Sequence, residues 1–166
     1  MIAAVAIVMD QAEMAADTLA RTLWGEARGE GEAGMTAVAA VIRNRIAVSA
    51  KLGGRHWWGM DWLSVCRARG QFAAWNPGNP NRVRLLTVNE SDPDFRLAKR
   101  IAADAIAGRI EDPTFGATTY KLAAAPWPYS WGHFRLPLVE IGKHAFYDFT
   151  KEHGRPQWGT SIVTSD

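Results

Sequence analysis

Residues Thr18–Glu30, TLARTLWGEARGE, decide how the rest of the chain is read. At 100° per residue, Ala16, Leu19, Leu23 and Ala27 fall on one side of a helix, with Asp17, Arg21 and Arg28 on the other. Glu26 follows Leu23 by three residues and Leu19 by seven, so a carboxylate falls in the apolar stripe. Burying an unpaired carboxylate is costly, and desolvation raises its pKa until it keeps a proton. A carboxylic acid still protonated near neutral pH is the form a general acid requires. An ion pair with an arginine of another segment accounts for most inward-facing glutamates, and the stripe alone does not exclude it here.

Working outward, 166 residues make a single domain, 1–166, with room for a proper core. Hydrophobic residues at 48% and charged residues at 22% give an ordinary globular balance. The net charge of +2 suits an anionic polymer and is too weak to indicate nucleic acid. Eight tryptophans are many for this length; indoles serve both cores and flat sugar faces, so the count does not decide between them. Cys66 stands alone, which excludes a disulfide framework and a cysteine metal cluster. The opening MIAAVAIVM falls short of the roughly 20 residues that span a bilayer and lacks the basic start and cleavage site of a signal peptide. It reads as a buried strand or helix-docking arm. The expectation is a monomer made in the cytoplasm, without stable membrane insertion.

The first helix opens at Asp10, whose spacing to Glu13 is that of a capping box, and should stop near Gly29. Glu30-Gly31-Glu32 makes a tight polar break, with Glu32 in the first turn of a second helix, AGMTAVAAVIRNRIAV. There Met35, Val38, Val41, Ile42 and Ile46 form the apolar face, and Arg43 and Arg45 leave toward the other side. In KLGGRHWWGMD, residues 51–61, the glycines signal a loop, yet Trp57, Trp58 and Trp62 must either fold onto the core or line a groove. Leu63–Arg69 reads as a short helix, and Gly70–Arg82 as a turn-rich segment. Val83–Val88 is a strand or a helical turn, and Asp92-Pro93 opens a third long helix capped near Gly108. Ala117–Leu122 alternates like a strand, Trp127–Trp131 is a second aromatic cluster, and Val139–Tyr147 reads as a returning strand. The segment from Thr150 to Asp166 reads as a surface tail.

Several chemistries lack their residues. There is no phosphate-cradling glycine loop and no G-x-S-x-G elbow. His56, His133, His144 and His153 show no zinc spacing, so no metal and no cofactor are expected. What remains is an acid in an apolar stripe and two tryptophan-rich irregular segments, a combination that fits glycan cleavage. Trp131 is a candidate to stack on sugar. A hydrolase normally needs a second carboxylate. Glu30 and Asp61 are candidates, and neither stands out.

The blocks LWGEARGEGEAGMTAVAAVIRNR, SVCRARGQFAAWNPGNPNR, DPTFGATTY and IGKHAFY together resemble the SleB-type cell wall hydrolase family, from about Leu19 to Tyr147. Its members are catalytic domains of spore cortex-lytic enzymes and of phage and prophage endolysins. The resemblance implies a mainly helical α+β, lysozyme-like domain acting on peptidoglycan between N-acetylmuramic acid and N-acetylglucosamine. It also implies action at the cell wall or periplasm, and leaves a phage or prophage origin open. The family's catalytic glutamate matches Glu26, and a lytic transglycosylase route with one glutamate would need no second carboxylate. The resemblance further implies Gln71 and Phe72 beside the groove, Tyr120 orienting the acid or stacking on sugar, and His144 as a strap. Thr119 stands where the family's G-A-T-x-Y motif often carries histidine, so no role is carried over to that position. A hydrolytic muramidase using Glu30 or Asp61, and a non-catalytic glycan-binding module, stay open as alternatives.

Overall fold

The computed structural model describes residues 9–54 and 58–150. The opening arm up to Val8, Trp57 and the tail from Lys151 onward, on which expectations were stated, lie outside the described residues. Helix α1 (Gln11–Ala27) starts as the sequence requires. The Asp10 side chain accepts from the Glu13 N–H at 2.8 Å, and Glu13 returns the bond to the Asp10 N–H. It ends two residues before Gly29 in a single 3-10 turn, Arg28–Glu30. Helix α2 (Gly31–Lys51) follows directly.

The α2 helix is buried on more than one side: Ala37, Val38, Ala39, Ala40, Val41 and Ile42 are all fully inaccessible. Its alanines let α1 and α5 (Pro93–Ile106) approach from different directions. This corrects the expectation for Arg45, which turns inward and is fully buried. Arg43 does reach a different partner, donating to the Ile110 carbonyl. Asp92 caps α5 through the Asp94 and Phe95 N–H groups, with Pro93 in its first turn. Two short helices complete the helical part, α3 (Trp62–Arg67) and α4 (Asn81–Thr87). The Val83–Val88 segment is therefore helical up to Thr87, and its Leu85 is buried in the core.

The sheet has the order β1-β3-β2, from β1 (Thr119–Leu122), β2 (Val139–Ile141) and β3 (His144–Tyr147), all antiparallel. The expected single strand over Val139–Tyr147 is thus two strands. Ile141 pairs with His144 across a Gly142-Lys143 turn, and Gly142 has φ +58°, a left-handed conformation that glycine adopts without strain. Alternation gives the sheet two faces. Tyr120, Phe146, Val139 and Ile141 pack into the helical core with Leu19, Leu23, Met35 and Phe95. On the reverse face, Ala145 and Tyr147 join Trp127, Trp131 and Phe149 in a separate small core. Each such apolar side chain contributes about 1.5–3 kcal/mol on burial. Among the described residues no helix is long and apolar enough to cross a membrane.

Candidate active site

Glu26 lies in the last turn of α1 and is 7% exposed. Desolvation pushes its pKa from the ordinary 4.5 to about 7, against the opposing effects of a hydrogen bond from Tyr120 and the Arg45 charge. The Tyr120 hydroxyl donates to Glu26 Oε2 at 3.0 Å. Oε1 has no partner among the described residues, so it is the oxygen left to carry the proton. No ion pair closes on Glu26 among the described residues. Of the two readings of an inward glutamate, the geometry matches the protonated acid, with a cation nearby and not in contact.

Tyr120 reaches Glu26 from the face of β1 whose side chains join the helical core. Its Cα partner is Phe146, and the His144 ring stands edge-on to the phenol at 5.2 Å between centroids. Tyr120 is fully inaccessible, and burial with the adjacent Glu26 raises its own pKa well above the usual value, so the phenol stays a donor. His144 is buried, which lowers its pKa and keeps the imidazole neutral at neutral pH.

Arg45 is the residue that sequence reasoning missed. Its Nε donates to the Thr118 carbonyl at 2.7 Å and Nη1 to Gln71 Oε1 at 3.1 Å. The guanidinium lies 5.4 Å from the Trp58 ring and 5.6 Å from that of Phe72. Burial lowers its pKa only to about 10, so it remains a cation. The signal was present in the sequence. Arg45 follows Ile42 by three residues, Val41 by four and Val38 by seven, the same stripe spacing that exposed Glu26.

The other candidates separate clearly. Gln71 and Phe72 are buried against Arg45, Gln71 accepting its hydrogen bond and Phe72 offering its ring. Asp61 caps α3: its carboxylate accepts from the Ser64 N–H and hydroxyl, each at 2.7 Å, and these bonds lower its pKa. Glu30 accepts from the Lys143 N–H at 2.8 Å. Trp131 lies in the reverse-face core, away from Tyr120, and is 6% exposed. Thr119 is buried. The Cys66 thiol is buried against Thr22 and pushed up to about 12, which leaves it unreactive. Among the described residues no cluster of His, Cys, Asp or Glu could hold a metal ion.

A family model described as Cell Wall Hydrolase matches residues 29–147, beginning three residues after Glu26. Among solved structures, the chain is similar to the catalytic domain of the germination-specific lytic transglycosylase SleB from Bacillus anthracis. The identity is 29%, the TM-score 0.54, and the match covers 86% of this chain and 98% of that one. It is also similar to the catalytic domain of the Bacillus cereus SleB protein, at 29% identity and TM-score 0.56, over 80% of this chain and 88% of that one. No curated protein matches the chain.

Proposed function

The chain belongs to the cell wall hydrolase family and is a peptidoglycan-cleaving glycosidase; within that activity we propose that it acts as a lytic transglycosylase, with Glu26 as acid and then base. The bond broken is that between N-acetylmuramic acid and N-acetylglucosamine. The observation that carries this reading is the buried Glu26 carboxyl, held by Tyr120 and poised at a pKa of about 7. A group with that pKa is partly protonated at neutral pH and both gives up and recovers a proton readily.

In the first step the Glu26 carboxyl protonates the glycosidic oxygen as the bond from muramic C1 breaks and positive charge develops at C1. The released saccharide keeps that proton. The Glu26 carboxylate then takes the proton of the muramic 6-hydroxyl, whose oxygen closes onto C1 to give an anhydro sugar. One C–O bond is lost and one is made, no water is consumed, and Glu26 returns to its protonated form. A single carboxyl suffices. The two other carboxylates considered are engaged elsewhere, Asp61 with the α3 N-terminus and Glu30 with the β2–β3 turn. The similarity to a lytic transglycosylase domain supports the same outcome.

The test is mass spectrometry of products from purified peptidoglycan, with wild type and Glu26→Gln side by side. Wild type releases anhydro-muramyl ends, and its kcat/KM declines above about pH 7 as Glu26 loses its proton. The Gln variant, close in shape and without the acid, drops by roughly a thousandfold or more while still sedimenting with cell walls. Products with reducing ends alone would replace the transglycosylase step with hydrolysis. Undiminished lysis by Glu26→Gln would remove Glu26 from the chemistry.

A further inference from the structure

The segment Gly25–Glu30, GEARGE, carries two glutamates four residues apart, and each meets a different part of the sheet. Tyr120 of β1 donates to Glu26, whereas the Lys143 N–H, in the turn between β2 and β3, donates to Glu30 Oε2 at 2.8 Å. The Glu30 side chain lies in a slot walled by two glycines. A Cβ added at Gly34 of α2 would overlap the Glu30 Cβ, and one added at Gly142 would overlap its carboxylate. Gly142 is thus required twice, for its positive φ and for this close approach. The residue after Lys143 is His144, whose ring abuts Tyr120.

We propose that Glu30 is a positioning residue for the reaction: it clasps the β2–β3 turn to the corner between α1 and α2, and so fixes the sheet at the height where Tyr120 meets Glu26. The proposal rests on Glu26 being the acid, and it gives the second glutamate a task other than that of a reacting carboxylate. The path is short and physical. Glu30 holds Lys143, β3 runs on through His144 to Phe146, and Phe146 is the cross-strand partner of Tyr120. A carboxylate accepting a backbone N–H makes a charge-assisted bond, and a glutamine in the same place keeps an oxygen acceptor for it.

The experiment measures kcat/KM against pH on purified peptidoglycan, with melting temperatures, for wild type, Glu26→Gln, Glu30→Gln, Glu30→Ala and Gly142→Ala. Glu30→Gln stays within about twofold of wild type, while Glu30→Ala falls about fivefold, because loosening the clasp costs no more than losing the Tyr120 bond itself, about 1 kcal/mol. The groups facing Glu26 are Tyr120 from β1 and Arg45 from α2, with His144 of β3 behind the former and Cys66 of α3 beside the latter. Loosening the clasp weakens the Tyr120 bond, which holds the Glu26 pKa down, so the alkaline limb of Glu30→Ala moves to higher pH. Gly142→Ala, which pushes the carboxylate off the turn, reproduces that shift and serves if Glu30→Ala folds poorly. Equal loss in Glu30→Gln and Glu30→Ala would overturn the proposal, since Glu30 would then be reacting itself. Lowered melting temperatures with an unmoved limb in both Glu30→Ala and Gly142→Ala would also overturn it. An active Glu26→Gln would strike the assignment of the acid, separately from the clasp.

Discussion

On one face of the sheet, Tyr120, His144 and Phe146 lie against the helices with Glu26 and Arg45 beside them. On the other, Trp127, Trp131, Tyr147 and Phe149 pack on one another with ring centroids 5.1–6.4 Å apart, mostly edge-to-face, with Tyr147 stacked on Phe149. Both faces are aromatic, so aromatic density does not mark the site. What separates them is a carboxyl and a guanidinium buried among apolar groups on one side. Such groups are costly to bury and remain there only where neighbours satisfy them or chemistry uses them. The reverse face also contains a buried charge, Lys121. Its ammonium is fully engaged by the carbonyls of Leu122, Ala123 and Ala125, and it acts as a strap for the turn that follows β1.

Trp131→Ala offers the largest test of this contrast beyond loss of the acid itself. Emptying the reverse-face core costs about 3 kcal/mol in denaturant unfolding, as for other buried Trp-to-Ala changes. For the folded protein, kcat and KM on peptidoglycan should match wild type. A raised KM with unchanged stability would make the reverse face part of the glycan surface and erase the distinction between the two.

The next effect, of similar size, separates the faces by pH. The folded Glu26 pKa of about 7 exceeds its ordinary 4.5, so between those values the unfolded chain has released its proton while the folded one still holds it. The Glu26 contribution to stability therefore falls as pH rises from 4.5 to 7, by about 3 kcal/mol in all, and levels off above that range. Glu26→Gln abolishes this slope. The stability gained by the Gln variant over wild type should grow from near zero at pH 4.5 to its full value near pH 7, while Trp131→Ala shows the same deficit at each pH. A pH-independent difference for Glu26→Gln would mean that the carboxyl is not desolvated.

Much of this arrangement was legible in the sequence where one residue defied its own periodicity. Glu26 stood out because α1 has one clear apolar stripe. Arg45 breaks the α2 stripe at the same spacing, yet α2 is so rich in alanine that its polar side is hard to define from the sequence. The Gly142-Lys143 turn sits inside the mixed run VEIGKHAFY, and the antiparallel pairing of β2 with β3 shows that Val139–Tyr147 folds back on itself. Trp131 was legible as aromatic and not as inward or outward, since that depends on which face of a distant strand it covers. Helix starts were readable for a local reason: Asp10 and Asp92 cap through residues only two or three positions away. The site depends on partners 94 residues apart, Tyr120 and Glu26, which no local pattern encodes.

The finest test concerns that long-range bond. Tyr120→Phe keeps the ring against His144 and Phe146 and removes only the hydroxyl, so packing on the inner face is retained. A hydrogen bond of this kind contributes about 1 kcal/mol, which predicts a fall in kcat/KM of about five- to tenfold. The same bond holds the Glu26 pKa down, and its loss moves the alkaline limb of the pH profile upward. The two signs together are diagnostic. A variant that loses rate at low pH yet keeps its activity to higher pH has lost an orienting donor, because a packing defect would lower the whole profile without displacing it. Should the limb stay fixed, Tyr120 would be a core residue that happens to touch the acid, and the inner face would owe its pKa to burial and Arg45 alone.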